Sequence, residues 1–85
     1  MISIEEELEA INPSALLADG FTDALVGWGH QASKTPVAIY NYDKCVEILV
    51  KEGSSEEDAI EWMEYNVVSA WVGEHTPIFM RQFDG

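Results

Sequence analysis

The fold is decided by residues 36–63, which read PVAIYNYDKCVEILVKEGSSEEDAIEWM. Apolar residues alternate from a proline onward, and this pattern predicts a strand over residues 36–41, because a missing N–H is tolerated where a strand begins. A helical repeat of apolar residues then predicts a helix over residues 42–52, which Gly53 ends. A capping serine followed by a second helical repeat predicts the next helix over residues 54–71.

The rest of the chain supplies two more strands and a short helix. Residues 23–31 fit a helix or a strand, and two glycines that would each cost about 1 kcal/mol inside a helix favour the strand. This strand would form a hairpin, residues 23–41, with the strand that follows it. We predict a last strand over residues 77–83 and a short N-terminal helix over residues 3–11.

Capping patterns predict where the helices begin. Ser3 and Glu6 have the spacing of a capping box, in which each side chain pairs with the backbone N–H of the other residue. Ser54 and Glu57 have the same spacing. A further short turn or helix is expected over residues 14–19. The buried face of the second long helix is predicted to hold Ile60, Met63, Val67 and Trp71.

These elements together predict one α+β domain over residues 1–85. Its small three-stranded antiparallel sheet would combine the hairpin with the C-terminal strand, and would pack against the helical hairpin and the N-terminal helix. A chain of 85 residues buries only about 60% of the surface that its unfolded state exposes. Further burial against a partner, or in a homodimer, is therefore expected.

The charge of the chain restricts its partners. Sixteen acidic residues against four basic ones give a formal net charge of -12. Proteins that bind nucleic acid directly need Lys and Arg to displace counterions from phosphates, so we expect no direct nucleic-acid binding. A partner with a basic surface is favoured instead.

The expected location is the cytoplasm. The single cysteine, Cys45, cannot form an internal disulfide, which fits a reducing compartment. The N-terminal sequence MISIEEE has neither the basic nor the apolar region of a signal peptide. No apolar run approaches the roughly 20 residues of a membrane span, so membrane contact is not expected.

Residues that could support chemistry are scattered. A zinc site needs three or four ligands at defined spacing, whereas the candidates here are His30, His75, Cys45 and isolated acids such as Glu74. Cys45 falls on the apolar face of its helix, where a free cysteine behaves as a small hydrophobe. We therefore expect no metal, no cofactor and no enzymatic activity.

An acidic stripe is the main candidate for a functional surface. Glu57, Glu61 and Glu64 lie on one face of the predicted helix, roughly 5–6 Å apart along its axis. One interpretation is a solvated face that confers solubility. The alternative is a surface that imitates the phosphates of a nucleic-acid strand and docks into a protein groove.

Aromatic residues beside the stripe complete this candidate site. The chain holds nine aromatic residues, three each of Trp, Tyr and Phe, more than one small core can bury. An exposed aromatic residue with a charged rim is typical of an interface anchor; the alternative is that the rings cover the core. The binding residues predicted from this pattern are Glu57, Asp58, Glu61, Trp62, Glu64 and Tyr65.

The sequence also carries a longer pattern. It comprises DALVG at residues 23–27, YNYDKC at 40–45 and SEEDAIEWMEYNVVSAWVGEHTPIF at 55–79. This pattern resembles a family of small uncharacterised proteins from bacteriophages and bacteria, over roughly residues 20–80. The resemblance implies a small phage-type accessory protein that binds host machinery, and it implies no catalytic residues.

The leading hypothesis is therefore a small acidic accessory protein of the host-cell cytoplasm that acts by protein–protein binding. Inhibition of host defence or of nucleic-acid-binding machinery is one form of this hypothesis. A host or phage protein with a basic surface would be the partner. The alternatives are a structural or self-assembling phage or bacterial protein, and a small metal-binding protein or enzyme.

Overall fold

The computed structural model describes residues 2–83 and has an α+β fold. Its helices and strands are α1 (Ile4–Ile11), β1 (Leu25–Gly29), β2 (Val37–Asn41), α2 (Tyr42–Lys51), α3 (Glu56–Met63) and β3 (Ile78–Met80). A single 3-10 turn, Thr22–Ala24, precedes β1, and a π-helical segment, Glu64–Val68, continues α3. Strand structure at residues 25–29 settles the choice between strand and helix in favour of the strand.

The sheet is mixed, and the prediction of a purely antiparallel sheet is wrong. β1 pairs with β2 in an antiparallel hairpin, as predicted, but β3 pairs with β2 in parallel. The last strand is also shorter than the predicted residues 77–83. The nine residues 69–77, between the π-helical segment and β3, are neither helical nor extended strand. Together with α2, α3 and the π-helical segment, this loop forms the crossover over residues 42–77 that parallel pairing of β2 and β3 requires.

The helix termini follow the capping patterns with one correction. Ser3 and Glu6 form the predicted capping box at α1. At α3 the cap is Ser55, whose Oγ accepts from the N–H of Asp58 at 3.1 Å, and the prediction of Ser54 is wrong. The N–H of Ser54 is used to end α2, donating to the carbonyl of Leu49 after Gly53 turns with φ +115°.

The predicted helix over residues 54–71 is too long. Regular α-helix ends at Met63, and the next five residues form a wider, π-helical turn. Met63 is fully buried and Val67 partly buried, as predicted. Ile60 and Trp71 are exposed, by 39% and 75%, so the predicted core face fails at both.

The core lies between the sheet and its helices. Tyr40 on the central strand is 1% exposed and stacks on Phe79 of β3, with ring centroids 5.6 Å apart. The buried cluster consists of Leu8, Phe21, Ala24, Ala38, Tyr40, Tyr42, Cys45 and Met63. Within residues 2–83, none of the helices combines the length and the apolar character that crossing a bilayer requires.

Residues 12–21 are an ordered connection rather than the helix considered for residues 14–19. After a turn at residues 13–14 the chain runs without helix to Ala18. Asn12 fixes its start: the Nδ2 group donates to the carbonyl of Pro36 at 2.7 Å and lies 3.2 Å from Nδ1 of His75. This segment is thereby held against the loop that precedes β3.

Candidate interaction surface

Four of the six predicted binding residues line one depression on the surface of α3. The acidic depression, of about 290 Å³, is formed by Asp58, Glu61, Trp62, Tyr65 and Asn66. The first three lie within one helical turn of one another, and the π-helical segment places the last two beside them. Two carboxylates and two aromatic rings therefore share one patch of surface.

Both aromatic rings of the acidic depression are exposed, and the Trp62 ring also packs against the protein. Trp62 is 46% exposed, and its ring packs against Phe21 at a centroid distance of 6.3 Å and a tilt of 45°. The carbonyl of Trp62 accepts from Nδ2 of Asn66 at 3.3 Å. Tyr65 is 77% exposed. The surface thus presents one anchored ring and one accessible ring between carboxylates.

The other two predicted residues lie outside the acidic depression. Glu57 is exposed on the first turn of α3. Glu64 is turned away: its Oε2 accepts from the hydroxyl of Tyr42 at 2.9 Å, and Arg81 lies 3.7 Å above the Tyr42 ring. Burial, together with the hydrogen bond to this carboxylate, raises the pKa of Tyr42. The Glu64 carboxylate is therefore engaged in a contact within the protein.

A second depression adjoins the first and was not predicted. The apolar groove, of about 320 Å³, shares Trp62 and Asn66 with the acidic depression. Its apolar walls come from five parts of the chain: the segment before the 3-10 turn, α3, the π-helical segment, the loop before β3, and β3 itself. The main apolar side chains are Leu16, Leu17, Phe21, Val67, Val72 and Phe79.

Hydrogen bonds hold the walls of the apolar groove in place. The N–H of Ala18 donates to the hydroxyl oxygen of Tyr40 at 2.8 Å, which ties this wall to the central strand. The N–H of Leu16 donates to the carbonyl of His75 at 3.3 Å. Burial is the main cause of the raised pKa of Tyr40, so this hydroxyl stays neutral at physiological pH.

Sequence periodicity could not have found the apolar groove, because its walls are mostly loops. One signal was available: Leu16-Leu17 and Trp71-Val72 are pairs of large apolar residues between regular elements. Leu16, Leu17 and Val72 are 40%, 44% and 63% exposed. Apolar pairs in a connection predict either a buried loop or an exposed contact surface, and here they form the surface.

A third depression, of about 540 Å³, lies between α2 and α3. Its apolar lining includes Val46, Val50 and Ile60. Lys51 and Arg81 line it together with three acids, so the charges largely offset each other. The acids are Asp43, Glu47 and Glu56.

The structure also describes the residues that were considered for metal binding or nucleophilic chemistry. Among residues 2–83, no group of three or more His, Cys, Asp or Glu side chains is arranged to hold a metal. Cys45 is fully buried, and burial raises the pKa of its thiol to about 11, which disfavours the thiolate. His30 places Nδ1 2.7 Å from the carbonyl of Ala32.

Comparison of the chain with protein-family models, with curated proteins and with solved structures finds no match. Roles can therefore be assigned to its residues only from their geometry. The contiguous surface formed by the acidic depression and the apolar groove is the candidate functional site.

Proposed function

We propose that this protein acts without catalysis, by binding another protein through the acidic depression of α3. The observation that carries the proposal is the convergence of Asp58 and Glu61 on the exposed rings of Trp62 and Tyr65. Aromatic anchors with a charged rim are the arrangement that concentrates binding energy in protein interfaces.

The charge of the surface indicates the sign of the partner. The formal net charge is -12, and the charged residues that line the acidic depression are carboxylates. A basic protein surface would be attracted over a Debye length of about 8 Å at physiological salt. Proteins that bind nucleic acid carry such surfaces, so occlusion of a nucleic-acid site is one activity that we propose.

The resemblance to small phage and bacterial proteins gives this proposal its context. A phage-type accessory protein in the host cytoplasm would meet host nucleases and other defence proteins, whose nucleic-acid grooves are basic. In this version the carboxylates of Asp58 and Glu61 would occupy positions that phosphates occupy in the partner's own ligand.

The experiment is capture of partners from a host lysate at low and high salt. Wild-type protein is compared with an Asp58→Lys, Glu61→Lys variant, which reverses both carboxylates of the acidic depression, and with a control, Glu9→Lys, Glu52→Lys, which changes the net charge equally but elsewhere. We expect a salt-sensitive basic protein to be captured by the wild type and the control, and lost by the first variant. Capture that survives reversal at Asp58 and Glu61 would contradict the proposal.

A further inference from the structure

We infer that the apolar groove receives the apolar face of a basic amphipathic helix that belongs to the partner. The inference rests on the proposed function, because it names the class of segment that the same surface would bind. It extends the site from the acidic depression to the adjoining groove, which has apolar walls and one carboxylate, Asp19.

The two depressions form one continuous site, because Trp62 and Asn66 line both. The Trp62 ring is fixed between them by its contact with Phe21. A segment that lies across Trp62 therefore contacts apolar walls on one side and carboxylates on the other. This arrangement matches a helix with an apolar stripe flanked by basic residues.

The groove is already formed in the free protein. Its Leu16–Ala18 wall is held by hydrogen bonds from both of those residues, to His75 and Tyr40. Its floor includes Phe79, which stacks on the same Tyr40 ring. A preformed site loses less conformational freedom when it binds, so more of the contact energy appears as affinity.

The same hydrogen bonds favour a helix over an extended peptide. An extended peptide gains affinity by pairing its main chain with free backbone groups. The N–H groups of Leu16 and Ala18 already donate within the protein, so they are not available to such a peptide. A helix satisfies its own backbone and docks through side chains alone.

The charge of the lining residues favours a basic helix over the other apolar segments that could occupy the groove. Among the residues that line the two depressions, all of which are described, the charged ones are Asp19, Asp58 and Glu61. A second copy of the chain would bring another formal charge of -12, and like charges oppose that association. An anionic membrane surface is disfavoured for the same reason.

The test uses three fluorescein-labelled peptides of about 18 residues, long enough to form a helix. The first places Leu at helical spacing with Lys on the flanks; the second has the same composition in scrambled order; the third replaces each Leu by Ser and keeps the Lys. Binding to the full chain is followed by fluorescence anisotropy. We expect the amphipathic peptide to bind at least about tenfold more tightly than either control.

Indole N–H signals in a nitrogen-15 NMR spectrum locate the binding. Trp62 lines the groove, whereas Nε1 of Trp28 donates to Glu7 at 2.9 Å, away from it. Addition of the amphipathic peptide is expected to shift the Trp62 signal and leave the Trp28 signal in place. A shift at Trp28 without one at Trp62 would overturn the assigned location.

A pair of matched variants tests the walls. Leu17→Ser, Val72→Ser removes two exposed groove side chains, and Val26→Ser, Val50→Ser removes two side chains of 43% and 40% exposure outside it. Because all four are exposed, both variants are expected to fold. The groove variant should bind the amphipathic peptide at least about tenfold more weakly, and the control variant should bind it like the wild type.

The peptides also separate failure of this inference from failure of the proposed function. Equal binding of all three peptides, unaffected by the groove variant, would overturn the helix-in-groove inference and leave attraction to basic surfaces standing. If none of the peptides binds at low salt, the helix-in-groove inference is overturned, and the capture experiment decides the proposed function separately. Equal losses in the two variants would also contradict the inference, since the groove would then have no special part.

Discussion

The α2 helix contributes Tyr42 and Cys45 to the buried core, whereas residues 64–77 leave several of their large apolar side chains exposed. In α2, Cys45 is fully buried, and the helix begins at the cap Asn41 and ends in a glycine turn. In residues 64–77 the chain passes through a π-helical segment into a loop, and Trp71 is 75% exposed. Agreement between local signals and burial marks the first region as structural. In the second region the two disagree, and large apolar side chains stay exposed on part of the surface that we propose binds a partner.

Truncation of a large side chain in the buried core that α2 helps to form, and of another in residues 64–77, gives the largest expected contrast. Met63→Ala empties a fully buried site and should lower the free energy of unfolding by about 3 kcal/mol. Trp71→Ala removes a larger but exposed side chain and should change it by less than about 0.5 kcal/mol. Urea unfolding measures both. A large loss of stability in Trp71→Ala would show that this exposed side chain is needed for folding, which would contradict the difference between the two regions.

Tyr40→Phe tests the link between the core and the binding surface. The substitution keeps the ring but removes the hydroxyl oxygen that accepts from the N–H of Ala18. Leaving this part-buried N–H without an acceptor should lower the free energy of unfolding by about 2 kcal/mol. We also expect faster amide hydrogen exchange at Ala18, read by NMR. Unchanged exchange at that amide would mean that the hydroxyl does not hold the wall of the groove.

The two serines before α3 give a smaller contrast with an internal control. Ser55→Ala removes the side chain that caps the helix and should cost about 1 kcal/mol. Ser54 contributes only its backbone N–H to the preceding turn, so Ser54→Ala should have almost no effect. Thermal unfolding of the two variants measures this difference. A larger loss of stability in Ser54→Ala than in Ser55→Ala would instead support Ser54 as the cap, as the sequence spacing predicted.

The last effect is absent at neutral pH and appears only in alkaline solution. Burial raises the pKa of the Cys45 thiol from 9.0 to about 11, so the unfolded chain loses this proton at a lower pH than the folded one. The contribution is fully present below pH 9.0 and is lost as the pH rises through about 11. Unfolding followed between pH 8 and 10 should show stability falling above 9, with a smaller fall in Cys45→Ala. If stability falls equally with pH in the wild type and in Cys45→Ala, the effect does not come from the Cys45 thiol.

The sequence predicted those parts of the fold in which local signals and burial agree. The capping box at Ser3, the hairpin and α2 follow from short-range patterns that the tertiary structure keeps. The parallel pairing of β3 did not follow, because strand direction depends on how the whole crossover between β2 and β3, residues 42–77, returns the chain to the sheet. The helix over residues 54–71 was overextended because a helical apolar repeat does not reveal a change to π-helical turns.

The site was predictable to the extent that it lies on regular helix. Asp58, Glu61 and Trp62 come together because helical spacing brings them together. Glu64 was assigned to the same surface, and the sequence could not show that the Tyr42 hydroxyl, 22 residues away, would engage it. The apolar groove depends on contacts between distant loops, such as Leu16 with His75, for which a single sequence has no periodic signal.

We propose that the exposed face of α3 and the π-helical segment binds a protein and is not merely a solvated face. Quantitative capture of the partner by a Glu61→Lys, Tyr65→Ala variant tests this proposal. Its control is a Glu9→Lys, Ile11→Ala variant, which makes the same change of charge and removes an exposed apolar residue of α1. We predict that the first variant loses the partner at unchanged thermal stability and that the second retains it. Equal capture by both variants would show that this face is only solvated.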